Sequence, residues 1–107
     1  MYTEEQYWNV LEAITNVKNA IRCETEDEAI LLGKILAEAG IYWTNSGISL
    51  AEKTHWGYYK RETAYSIDPS NGRIEYCYRE YYLSEGFNVI DFDSIMSPVS
   101  LLDILLA

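Results

Sequence analysis

Lys53, Lys60, Arg61, Arg73 and Arg79 are five of the eight bases in this chain, and they interleave with Trp56, Tyr58, Tyr59, Tyr76 and Tyr78. A guanidinium forks onto phosphate or carboxylate, and a flat ring stacks on a base. Such a set would suit a nucleotide-like ligand. The same residue types also make good protein contacts, because tyrosine joins an apolar face to a polar tip. A third outcome needs no ligand: the bases pair with acids and lay their stems over rings. Seven of the ten tyrosines fall between residues 56 and 82. Tyr58, Tyr59, Tyr65, Tyr76, Tyr78, Tyr81 and Tyr82 cannot all fill the core of so small a domain, so some lie at the surface. The candidate binding residues are Trp56, Tyr58, Tyr59, Arg61, Arg73, Tyr76, Tyr78, Arg79, Tyr81 and Tyr82.

Catalytic chemistry has little to stand on. His55 is the sole histidine, so a Ser-His-Asp or Cys-His arrangement would have to use it. Neither Cys23 nor Cys77 is near it by any obvious spacing. It reads as a loop or surface residue. Two cysteines and one histidine with no CxxC make a poor zinc set. Glu26-Asp27-Glu28 is explained as a helix start, where the dipole favours negative charge. Asp91 and Asp93 flank Phe92 and, on a strand, would share one face. Paired carboxylates hold a metal or move a proton, yet on a strand edge they more often oppose self-association. Gly33, Gly40 and Gly47 form no phosphate loop. The expectation is no enzyme, no metal and no cofactor.

Seventeen acids against eight bases give a net charge of −9. That charge repels a phosphate backbone and argues against direct nucleic-acid binding. It keeps the chain soluble, or it forms an acidic surface that docks on a basic groove. No apolar run is long enough to span a membrane. Met1-Tyr2-Thr3-Glu4-Glu5 is acidic where a secretory signal is basic and then apolar, so a cytoplasmic protein with free thiols is expected.

The elements that must position these residues read as one α+β domain over residues 1–107. Thr3 and Gln6 make a capping box, and Tyr7, Val10, Leu11 and Ile14 recur at helical spacing, which predicts a helix over 3–16. Trp8 on that helix and Trp43 are expected as core anchors. Ala20 to Cys23 reads as a short strand. Thr25 and Glu28 open a second helix whose buried face is Ala29, Leu32, Ile35 and Leu36, stopped by Gly40. A strand follows at 41–43 and a turn at Asn45-Ser46-Gly47. Residues 48–56 read as loop or a ragged helical turn. Strands at 63–68 and 73–78 flank a Pro69-Ser70-Asn71-Gly72 turn, since Asn-Gly favours positive φ. A helical turn at 79–85 ends at Gly86, and a strand runs over 87–92. Ser97 and Pro98 start an apolar helix over 97–107, which lies on the sheet or joins subunits into a homo-oligomer. The sum is a small, mostly antiparallel sheet with helices packed on one face.

One pattern extends over residues 20–93. A short strand leads into Thr25-x-x-Glu28-Ala29, then Ala39-Gly40, Trp43, Ser46-Gly47, Gly72-Arg73-Ile74-x-Tyr76 and Gly86-x-x-Val89-Ile90-x-Phe92. This resembles small acidic accessory proteins of bacteriophages and prophages. The resemblance implies no catalytic residues. It implies a protein of the bacterial host cytoplasm that binds and disables a host or defence-system protein, as an anti-CRISPR-like inhibitor does, through an acidic and tyrosine-rich surface. The alternative is an oligomer that sequesters a nucleotide-like signal. The helices over 3–16 and 97–107 depart from the pattern and read as additions for assembly.

Overall fold

A computed structural model describes residues 2–43 and 47–97. Helix α1 (Glu4–Thr15) starts on the expected box: Thr3 Oγ1 accepts from the Gln6 N–H at 3.1 Å, and Gln6 Oε1 accepts from the Thr3 N–H at 2.8 Å. Val10 and Ile14 are buried, with Tyr7 and Leu11 at the rim of the core. Trp8 is not a core anchor; it is 57% exposed. One residue turns a helix by about 100°, so the position after Tyr7 leaves the apolar stripe.

Strand β1 (Asn19–Arg22) leads to α2 (Glu26–Glu38). Thr25 caps α2 by accepting from the Glu28 N–H at 3.2 Å. The Glu28 carboxylate reaches one residue further back than a capping box requires, and accepts from the Glu24 N–H at 2.7 Å. Ala29, Leu32, Ile35 and Leu36 are buried as their spacing predicts. The helix ends in a paired closure: Gly40 donates to Ala37 O at 3.0 Å and Ile41 to Leu36 O at 2.8 Å. Gly40 holds φ +78, which a side chain would strain.

The strand expected at 41–43 is reduced to one parallel bridge, Trp43 beside Ile74. Asn45 and Ser46 of the expected turn lie outside the described residues. Then come α3 (Trp56–Tyr59), a 3-10 turn (Lys60–Glu62), β2 (Thr63–Asp68), β3 (Arg73–Tyr78), α4 (Arg79–Ser84), β4 (Asn88–Asp91) and α5 (Phe92–Met96). The last strand stops before Phe92, which begins α5 and is buried in the core. Ser97 ends α5, its hydroxyl donating to Asp93 O at 2.8 Å. The rest of the helix expected over 97–107, and with it the oligomer contact, lies outside the described residues.

The sheet order is β3-β2-β1-β4. The β1–β2 and β2–β3 pairs are antiparallel and β1–β4 is parallel, so the fold is α+β with a mostly antiparallel sheet. Strand alternation sends Ile21, Tyr65 and Ile74 to the face covered by α1 and α2, where they meet Val10, Ile14, Leu32, Ile35 and Leu36. The opposite face carries a smaller cluster that the sequence did not announce. Ala20 and Ala64 lie there under Tyr82 of α4. Cys23 belongs to the first cluster and Cys77 borders the second; both are free thiols.

Among the described residues, no helix is long and apolar enough to cross a membrane.

Candidate binding surface

Four side chains pin the loop that leads to the tyrosines. The Tyr65 hydroxyl donates to Thr54 O at 2.6 Å from inside the core. The Trp43 indole donates to Lys53 O at 2.9 Å, and the Trp56 indole to Cys23 O at 3.1 Å. The Thr54 hydroxyl donates to Glu26 on α2 at 2.8 Å. Trp56 is therefore a half-buried anchor, not a free contact residue.

The turn presented by these pins is bracketed by two unusual residues. His55, before α3, holds φ 54 and ψ 10, and Lys60, after it, holds φ 52 and ψ −128. Both conformations suit glycine, and a side chain in one costs ~1–3 kcal/mol. Nothing in the sequence signals either. Their effect is to fold Tyr58 and Tyr59 back over β3.

The rings then form a continuous series. His55 stacks on Tyr76 with centroids 4.8 Å apart and planes within 6°. Trp43 meets the edge of His55 at 5.1 Å. Tyr58 lies 6.4 Å from Tyr76, and Tyr59 bridges Tyr76 at 6.0 Å to Tyr78 at 5.4 Å. Tyr78 contacts Tyr81 at 6.3 Å. His55 is the member that sequence reasoning missed: its ring is half-buried in the stack, and only its place beside Trp56-Gly57-Tyr58-Tyr59 hinted at this. Burial and the nearby Lys53 hold its pKa below the ordinary histidine value, so it is neutral at pH 7.

Tyr58 is 72% exposed, and Tyr81, Tyr78 and Tyr59 follow at 44%, 43% and 38%. Tyr82 is a correction, since it is 3% exposed and shares a 2.9 Å hydrogen bond with Ser66. Tyr81 and Tyr82 are neighbours on a single helical turn, which must bury one and release the other.

The arginines do not converge with the rings on one pocket. Arg73 and Arg79 stand at opposite ends of the β3 segment, about 20 Å apart at a strand's rise per residue. The Arg73 guanidinium reaches Trp43 O at 3.4 Å. Arg61 and Arg79 are exposed, and the Arg61 carbonyl accepts from Arg22 at 2.6 Å. A cavity of about 550 Å³ lies elsewhere, between α1 and α5, lined by Gln6, Asn9, Ala13, Ile95 and Met96.

The carboxylate pair does not share a strand face, but both groups border one pocket of about 290 Å³ with Arg22, Glu24 and Glu28. Asp91 ends β4 and binds Arg22 at 2.7 Å, while Asp93 lies in the first turn of α5. Arg22 also binds Glu24 at 2.8 Å. Among the described residues, no group of three or more histidine, cysteine or acidic side chains is placed to hold a metal ion.

Charge separates the tyrosine-rich stretch from the rest of the chain. Residues 56–82 hold four bases and four acids, so the excess of acid lies outside them. It includes Glu4, Glu5 and Glu12 on α1 and Glu26, Asp27, Glu28 and Glu38 on α2. Along the chain, the acidic excess and the tyrosine-rich stretch are therefore separate segments. No protein-family model, curated protein or solved structure matches the chain.

Proposed function

We propose that the protein acts by binding another protein through the ridge formed by Tyr58, Tyr59, Tyr76, Tyr78 and Tyr81. The observation that carries this reading is the ridge itself: large rings in mutual contact, with Tyr58, Tyr59, Tyr78 and Tyr81 exposed around the half-buried Tyr76, in a charge-balanced stretch of the chain. Tyrosine is favoured at the centre of interfaces because it brings rigid area and a hydrogen-bonding tip. The acidic helices act at longer range, steering a basic partner toward the contact. The class of target comes from the resemblance to phage and prophage accessory proteins. It is a host or defence-system protein, which binding inhibits in an anti-CRISPR-like manner in the bacterial cytoplasm.

The test is capture by the tagged full chain from infected and uninfected bacterial lysates, with two variants beside it. Tyr58→Ser with Tyr78→Ser alters the ridge; Glu5→Gln, Glu12→Gln and Asp27→Asn lower the acidic charge. The ridge variant should lose the captured protein. The charge variant should retain it, with slower association and weaker salt dependence. Capture that survives the ridge variant and fails in the charge variant would place the interface on the helices instead.

A further inference from the structure

The outer edge of β3 says how a partner would be held. β3 is the first strand in the sheet order, so one of its edges has no neighbouring strand. The Ile74 N–H points to that edge and donates to Tyr42 O at 3.0 Å. Thr63, opposite Tyr78, turns its carbonyl away to Cys23 on the other side at 3.1 Å. Strand alternation then directs the N–H and C=O groups of Ile74 and Tyr76 and the N–H of Tyr78 outward, and those of Arg73, Glu75 and Cys77 toward β2, while the Tyr78 carbonyl, at the N-cap of α4, serves that helix's first turn. Residues 42 and 43 cover the edge at Ile74. Among the described residues, no loop or turn backbone group bonds to the N–H and C=O of Tyr76 or to the N–H of Tyr78. This open stretch carries no proline or lysine, the residues that commonly blunt an edge.

The two faces beside this edge differ. On one, the rings of Tyr58, Tyr59, Tyr76 and Tyr78 present electron-rich surfaces, which attract cations. On the other, Glu75 makes no ion pair among the described residues. Burial and the neighbouring Asp68 raise the Glu75 pKa. A strand laid along β3 would point alternate side chains to the rings and to Glu75. Basic side chains are matched to both, on a protein whose net charge is −9.

Resting on the reading of the ridge as a protein-binding surface, we infer that the partner enters as an extended, lysine- or arginine-bearing peptide segment that adds as a further strand to the outer edge of β3 at Tyr76 and Tyr78. Main-chain hydrogen bonds supply affinity in this mode, and alternate side chains supply specificity.

The experiment selects random linear nine-residue peptides against the full chain. The strongest is then titrated, as a synthetic peptide, into isotope-labelled protein while amide exchange is followed. Selected peptides should be basic. Binding should slow exchange at Tyr76 and Tyr78 by about tenfold or more and leave Glu75 and Cys77 as they were. Glu75→Gln should weaken the peptide about threefold, the scale of one exposed ion pair. Methylating alternate peptide nitrogens should abolish binding in one parity and spare it in the other. Peptides that bind while the Tyr76 and Tyr78 amides keep exchanging would overturn strand addition and leave the ridge as a side-chain surface. Failure to select any peptide would overturn it too, with the ridge still judged by capture. Protection that grows with protein concentration and no peptide would put a second copy on the edge, which also overturns the proposal.

Discussion

Tyr65 and Tyr82 are buried, and each hydroxyl has a partner: the Thr54 carbonyl at 2.6 Å and the Ser66 hydroxyl at 2.9 Å. Tyr58, Tyr78 and Tyr81 come from the same stretch of chain, yet their rings are exposed and their hydroxyls bond to no described residue. The first pair serves the fold. A buried phenol without a partner would cost free energy, and a loop carbonyl supplies one to Tyr65 and a strand hydroxyl one to Tyr82. The second group has ring area and hydrogen-bonding capacity that the described fold does not use. That contrast separates scaffold from surface within about twenty-five residues, and it lets the two be perturbed separately.

The scaffold should break first at Gly33. Its α carbon faces the loop on the far side of α2, and an added Cβ would lie 2.1 Å from the Ala51 nitrogen. Backbone cannot yield as a side chain can, so Gly33→Ala should lose ~3 kcal/mol or more despite the better helix propensity of alanine. Denaturant unfolding measures it; an unchanged midpoint would mean the helix and loop are not in contact.

The tyrosines themselves give the next largest effect. Tyr65→Phe leaves the Thr54 carbonyl without its donor and should cost ~1–3 kcal/mol. Tyr78→Phe should change stability by less than ~0.5 kcal/mol. Equal losses would erase the distinction between the two groups.

Much of the scaffold was legible in the sequence, and the reasons are local. Helices α1 and α2 announce themselves by caps and by three to four turns of apolar periodicity. Pro69 to Gly72 marks the hairpin, with the positive φ carried by Gly72 alone at +70. The short elements were not legible. α3 and α5 are too brief for a period to develop, and Phe92 looks like a strand residue until it is seen to open α5. The site was half legible for the same cause. Composition drew attention to residues 56–82, but the sorting of Tyr81 from Tyr82, and of Trp56 from Tyr58, depends on which side of a single turn meets the sheet.

The ridge can be sharpened at Lys60. Replacing it by glycine places at φ 52 the residue best suited to that conformation and should stabilise the fold by ~1 kcal/mol. If the turn is held by this strain, the gain will come with weaker partner capture, as Tyr58 and Tyr59 lose their fixed direction.

The smallest effect is a dependence on pH. His55 titrates below its unfolded value because it is partly buried beside Lys53. The unfolded chain therefore binds the proton more tightly, and stability is lost as pH falls through the unfolded pKa of about 6.5. Between pH 7.5 and 5.5 the wild-type melting temperature should fall more than that of His55→Gln. Parallel curves would remove His55 from the stack.

The most direct test of the ridge is an oxidative footprint of the full chain with and without the protein that it captures. Tyr58, Tyr59, Tyr78 and Tyr81 should be protected in the complex, while Trp8, exposed on α1, should react as before. Protection at Trp8 with the four tyrosines still reactive would contradict the account and move the interface to the acidic helices.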